Sequence, residues 1–220
     1  MASGRRYKFL GSTFQVQTGL GTAKTITAIS QTNPALVTSS AHGFVLGNAV
    51  KISSVSGMTE LNDNIYAVDN PLTNDFELSG VDATGYGAFS AGSPSSGVAI
   101  PVTFSNFCEL TSYSQQDGAT TEDEVTTICS TAKEFEQGLR DAGTLQMDYN
   151  LAGNEPVQAA IRAAQRAGEK LAFKLTLPTT GGTYIMIGSV SQSSMQGSVG
   201  AAVHTGSTTI KLSGDIFVTA

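Results

Sequence analysis

Tryptophan is absent from this 220-residue sequence, cysteine and histidine occur twice each, and only 14% of the residues are charged. Each shortage weighs against a class of function. Tyr66, Phe76, Tyr86 and Phe89 are dispersed, and without tryptophan they form no evident aromatic platform for a sugar ring. Cys108 and Cys129 share no metal-ligand spacing. The opening stretch MASGRRYKFLGSTF lacks the apolar run of a secretory signal, so both thiols are expected to be reduced, buried, small apolar residues of a cytosolic product. No segment approaches the roughly 20 consecutive apolar residues that a membrane helix needs, and the expectation is a soluble chain without membrane contact. Basic residues are the scarcer sign, 12 against 18 acidic ones, for a net charge of −6. A protein that grips nucleic-acid phosphates needs the opposite balance, so any contact with DNA is expected to be passage and not binding.

What is present points to a mainly β protein. The chain has 24 glycines, and short alternating runs are separated by turn residues. Residues 1–22 join a basic start, Arg5, Arg6 and Lys8, to the alternating run STFQVQTG. Residues 23–95 hold the strand-like runs KTITAISQ, ALVTSS, NAVKISSV, IYAVDN and DFELSG, as in a small barrel or sandwich, and close on the linker-like SAGSPSSG. Only Lys24 and Lys51 are basic there, against Glu60, Asp63, Asp69, Asp75, Glu77 and Asp82. A compact acidic unit bounded by linkers reads as an insertion.

The character changes from residue 98. IPVTFSNFCELTSY alternates, with Val102, Phe104, Cys108 and Leu110 opposed to Thr103, Ser105, Glu109 and Thr111, and predicts one long half-buried strand interrupted at Asn106 and Phe107. Residues 114–138 are polar, acidic and weakly periodic, a connection long enough to be functional or to order late. In GTLQMDYN, Leu145, Met147 and Tyr149 oppose Gln146, Asp148 and Asn150. One helix is clear in NEPVQAAIRAAQRAGEK. Asn154 is the expected N-cap, Pro156 is tolerated in the first turn, Val157, Ala160, Ile161 and Ala164 form the apolar stripe, and Gly168 supplies the stop. Its narrow, alanine-rich stripe predicts close packing on a sheet. LAFKLTLP, TYIMIGSV and TTIKLSGDIFV follow as strands, which completes a β-sandwich with one packed helix.

Residue types that carry chemistry read as structural. His42, between Ser39, Ser40 and Gly43, suggests a serine–histidine pair, but no G-x-S-x-G elbow occurs and no spacing links it to a carboxylate, so it reads as part of a turn. His204 precedes another glycine-containing turn. Glu122, Asp123 and Glu124 lack the alternating ligands and central glycine of a calcium loop and read as a solvated face. Gly181 and Gly182 suit a hairpin turn, since no helix follows to meet a phosphate. The expectation is a protein that is not an enzyme and uses no cofactor or metal.

TFSNFCELTSYSQQDG, EVTTICSTAKEFEQGLRDAGTLQMDYN, PVQAAIRAAQRAGEK and GSTTIKLSGDIF resemble the tail tube, or major tail, proteins of long-tailed bacteriophages with non-contractile tails. The stretch from TITAISQ to NIYAV, with NDFELSG, resembles a small β module of phage tail proteins similar in fold to the first catalytic cysteine half domain of ubiquitin-activating enzymes; here it carries no cysteine. The resemblance implies a mainly β, tail-tube-type sandwich from residues 1–22 and 96–220, with a small all-β module inserted at 23–95. It implies hexameric rings stacked into a tube in the virion, assembled in the host cytoplasm. The tape measure protein would fill the lumen before DNA passes, and tail terminator and tail tip proteins would close the ends. Candidate lumen residues are then Thr103, Ser105, Glu109, Thr111, Gln146, Asp148 and Asn150. Candidate ring-stacking residues are Arg5, Arg6, Lys8, Asp117, Glu122, Asp123, Glu124, Lys133, Glu134 and Glu136. A tail-completion protein of the same fold and a carbohydrate-binding β module are the alternatives.

Overall fold

The computed structural model describes residues 7–92, 97–178, 181–200 and 203–219. Sixteen strands run in chain order: β1 Thr13–Leu20, β2 Lys24–Thr25, β3 Ala28–Ile29, β4 Ala35–Thr38, β5 Ala49–Ser53, β6 Asn64–Asp69, β7 Asp75–Leu78, β8 Val98–Asn106, β9 Leu110–Gln116, β10 Thr120–Glu124, β11 Phe135–Arg140, β12 Thr144–Asn150, β13 Lys170–Thr176, β14 Thr183–Gln196, β15 Thr205–Leu212 and β16 Phe217–Thr219. Among the described residues there is one α-helix, α1 (Pro156–Ala167), between β12 and β13, besides a single 3-10 turn at Thr59–Leu61. The fold is therefore mainly β with one helix, as the alternating runs predict.

The main path of the sheet is β3-β4-β7-β6-β5-β8-β1-β13-β14-β15-β12-β9, and it curls over two separate cores. One core gathers Phe14 and Val16 of β1, Leu145, Met147 and Tyr149 of β12, Leu171 and Phe173 of β13, Met186 of β14 and Ile210 of β15. Across it lies α1, whose Val157, Ile161 and Ala164 are buried, the two larger side chains contributing about 1.5–3 kcal/mol each. The second core holds Ile26, Val37, Ile52, Met58, Leu61, Phe76 and Leu78, and takes Ala99 from β8. A small third cluster joins the two layers: Ala49 and Ile65 meet Ala172, with Val102, Phe104 and Ile187 packed around them.

Several local expectations are corrected. The helix is capped by Glu155 and not Asn154; with Pro156 opening the helix, Glu155 is the flanking residue and its carboxylate accepts from the Gln158 N–H at 2.8 Å. Gly168 ends the helix as expected, with φ 69° and its N–H donating to the Ala164 carbonyl. The single long strand expected over 100–113 is two strands. β8 ends at Asn106, Phe107 turns into the core, and β9 begins at Leu110. Cys108 sits in that turn and Cys129 near the tip of a hairpin, so both thiols are exposed and not buried, though both are free. Residues 114–138 are largely regular: they hold the end of β9, and β10 pairs with β11.

Candidate functional site

Two surfaces stand out, and both derive from the β9–β12 ribbon. β9, β12, β15 and the second half of β14 form four adjacent strands. Because register partners share a face, Leu145, Met147 and Tyr149 fix the inner side and Gln146, Asp148 and Asn150 the outer side. Opposite the latter three stand Thr209, Ser207 and Thr205 of β15, and beyond them Gln192, Ser194 and Gln196 of β14. β9 adds Ser112 and Ser114, opposite Asp148 and Gln146. The result is a face of hydroxyls and amides with one carboxylate near its middle. Asp148 accepts from the Ser112 hydroxyl at 3.0 Å, and its carbonyl accepts from the Thr111 hydroxyl at 2.8 Å. Lys211 sits at the rim opposite Thr144 and pairs with Asp141, whose carboxyl it holds below the usual carboxylate range.

Of the seven residues expected to share a surface, the structure brings four together: Thr111, Gln146, Asp148 and Asn150. Thr103 and Ser105 lie on β8. Ser105 is opposite Val16 and 2.8 Å from the Thr18 hydroxyl, on the side of the sheet that faces α1. Glu109 occupies the turn before β9, half-buried, with its carbonyl accepting from Asn150 N–H. Ser112, Ser114, Ser207 and Thr209 were missed. Their alternation was present in LTSYS and GSTTIKL, but Thr208 points inward to the Tyr149 hydroxyl at 3.1 Å, which blurred the polar–apolar contrast. Gly206 makes this packing possible, since a side chain there would collide with the Tyr149 ring.

The hairpin continues the same ribbon outward. Gln116 faces Thr144, Asp141 N–H donates to the Ala119 carbonyl, and Thr120 faces Arg140. Gly118 and Gly143 form the waist, where a side chain at either would strike the backbone of Asp141 or Gln116. Every residue of β11 and almost every one of β10 is exposed. Asp123 stands directly opposite Glu136, a like-charge pair that contributes nothing to an isolated hairpin. Lys133 pairs with Glu124 at 3.0 Å, Glu134 accepts from the Ser130 hydroxyl at 3.1 Å, and Asp117 accepts from the Gln115 amide. Ile128 is fully exposed and Leu139 is 88% exposed. Glu122, Asp123, Glu124, Lys133, Glu134 and Glu136 are thus gathered on one projection, with Asp117 at its base. Lys8 lies elsewhere, exposed before β1, and Arg5 and Arg6 fall outside the described residues.

His42 is buried within the second core. Its Nδ1 accepts from the Phe44 N–H at 2.9 Å, its Nε2 is 3.3 Å from the Asp75 carbonyl, and its ring packs on Phe44 and Phe76. The Ser39 hydroxyl donates to the Thr25 carbonyl at 2.8 Å instead of meeting the imidazole. A cleft of about 410 Å³ is lined by residues that include Tyr66, Tyr86, Lys170 and Ile187. Burial there pushes the Tyr66 phenol up to about 12. Among the described residues, no helix is long and apolar enough to cross a membrane.

The fold is thus mainly β, with an exposed polar sheet face and an exposed hairpin. The family model described as phage tail tube protein, TTP, matches residues 56–219, roughly three quarters of the chain. The chain belongs to that family and is a structural component of a phage tail. The match starts within the second core and does not include β1. No match was found among curated proteins.

Proposed function

We propose that this chain builds the tail tube as stacked hexameric rings, with the β9–β12–β15–β14 face lining the channel through which DNA leaves. The observation that carries this reading is the open margin on each side of that face. Among the described residues, β9 pairs only with β12, and Gln192–Gln196 of β14 pair only with β15. Unpaired backbone rims invite another strand. Pairing β9 of one copy with β14 of the next closes a barrel around an axis and leaves no rim. The enclosed surface is hydroxyl- and amide-rich, with Asp148 as a repelling charge and Lys211 already paired to Asp141. Such a surface gives a phosphate backbone little to hold. The tape measure protein occupies this channel before ejection, and terminator and tip proteins cap its ends.

Residues 23–95 form, in this reading, an inserted module on the outer wall, and 1–22 with 96–220 form the tube domain. The acidic hairpin joins one ring to the next.

Electron microscopy of the purified protein at high concentration tests the assembly: hollow filaments with a regular axial repeat are expected. Monodisperse particles that cap tube ends would instead favour a tail-completion protein. Asp148→Lys tests the lumen. Tube assembly should persist, because the side chain lies on the outer side of a formed sheet, while DNA ejection slows as cations ring the channel. Normal infectivity would count against the lumen assignment.

A further inference from the structure

The same ribbon that carries the hairpin ends, at its other extremity, in a groove with no described occupant. It has a volume of about 260 Å³, and its walls include Phe9, Phe14, Phe107, Cys108, Leu110 and Tyr113. The Tyr113 ring stands 5.9 Å from Phe9 and 5.7 Å from Phe14, and Phe9 is 55% exposed. We infer that this groove receives the hairpin tip of a second copy of the chain, an assignment that rests on the stacked-tube reading.

Three observations select that occupant. First, the tip is apolar where it is most exposed: Ile128 makes no burying contact in its own chain, and Leu139 and Phe135 are also exposed along the arm. An aromatic groove and an isolated aliphatic side chain each leave apolar surface in water that their union removes. Second, the charges complement. Between Asp117 and Asp141 the arm carries seven carboxylates against Lys133 and Arg140, whereas no carboxylate lines the groove and the exposed Lys8 leads into Phe9. Third, the two surfaces lie at opposite ends of β9. The groove flanks its first residue, Leu110, and the hairpin leaves after its last, Gln116. Beyond a short break at 117–119, β10 and β11 pair as a separate two-stranded ladder as far as Val125, whose N–H donates to the Glu134 carbonyl. The arm therefore leaves from the end of β9 opposite the groove. A contact between unlike ends of like copies is heterologous, so it propagates along an axis instead of closing in pairs.

The two thiols report on this contact. Cys129 adjoins Ile128 and Cys108 is in the groove wall, and the chain has no other cysteine. Assembled wild-type tubes are treated with a short bis-maleimide and separated on a denaturing gel. Linking tip to groove yields a ladder running past the dimer into high multiples, and Cys108→Ser or Cys129→Ser abolishes it. Products that stop at the dimer signify tip-to-tip or groove-to-groove contact and overturn the assignment, as does the absence of any cross-link in intact tubes. Both of those results leave the tube reading standing; failure of the wild-type chain to form tubes removes both. Ile128→Asp supplies a second measure. Its unfolding midpoint should match the wild type, because the side chain is fully exposed, while the concentration needed for polymerisation rises at least about 100-fold, as expected when a buried anchor becomes charged. Unchanged polymerisation would overturn the inference.

Discussion

Deleting residues 119–143 should leave a folded monomer that no longer polymerises. The junction is already built for the cut. Gln116 and Thr144 face each other in the β9–β12 ladder, and Asp117-Gly118 would remain between them. Asp-Gly is a favoured two-residue turn for an antiparallel hairpin, since both central positions need positive φ and neither resists it strongly. The monomer loses little. β10 and β11 are exposed and contribute almost nothing to the core, so the cost falls on the partly buried Ala142, the Leu212 N–H bond to the Gly143 carbonyl, and the exposed Lys211–Asp141 and Arg140–Asp215 pairs. The backbone bond and the Ala142 contact are worth roughly 1–2 kcal/mol, a fraction of ordinary domain stability, and the solvent-screened pairs add little. Assembly loses the whole arm. Sedimentation and microscopy should show monomers at concentrations about 100-fold above those at which the intact chain forms filaments, a difference of roughly 3 kcal/mol per contact. Tubes of normal length from this variant would remove the hairpin from ring stacking.

The same region shows why part of the structure was legible in the sequence and part was not. α1 was legible because Val157, Ile161 and Ala164 recur at helical spacing and a glycine follows, and burial in one core enforces that period. β12 was legible because it divides one buried face from one exposed face. The hairpin has no such contrast. Each of its strands is exposed on both sides within the monomer, so no apolar alternation marks it, and its order is supported by backbone pairing, the glycine waist and exposed side-chain bonds such as Lys133–Glu124 and Arg140–Asp215. β8 misled in the opposite way. Ala99 enters the second core, Val102 and Phe104 the joining cluster, and Phe107 the first core, so continuous apolar spacing concealed a change of partner and a chain turn. The candidate lumen was half legible. β12 supplied its residues by alternation, but adding β8 required two distant strands to share a face, which spacing along the chain does not determine.

Removing residues 26–97, most of the segment proposed as an insertion, should give thinner tubes, and the pairing of β2 with β8 shows how to do it. Thr25 faces Val98, and Ile26 N–H donates to the Gly97 carbonyl, so an Asn-Gly turn in place of residues 26–97 reconnects neighbouring strands without stretching either. The first core loses no side chain, because its members come from β1 and from Phe107 onward. The cost falls on the joining cluster. Without Ala49 and Ile65, the half-buried Val102, Phe104 and Ile187 return to water, roughly 1 kcal/mol apiece, and leave an apolar patch on the new outer surface. The first variant is therefore expected to fold with reduced stability and to aggregate laterally. A second, with Phe104→Ser and Ile187→Thr added, removes the patch and should restore discrete filaments. Lys174, now held over the Phe104 ring at 5.8 Å, would then be free to solvate that face. Microscopy of the second variant should show hollow filaments of unchanged axial repeat and smaller diameter, since the hairpin, the groove and the open margins of the polar face all lie outside the excised segment. A folded variant that forms no filaments would place the module within the wall itself, with β8 continuous through both layers as the element that makes them one unit.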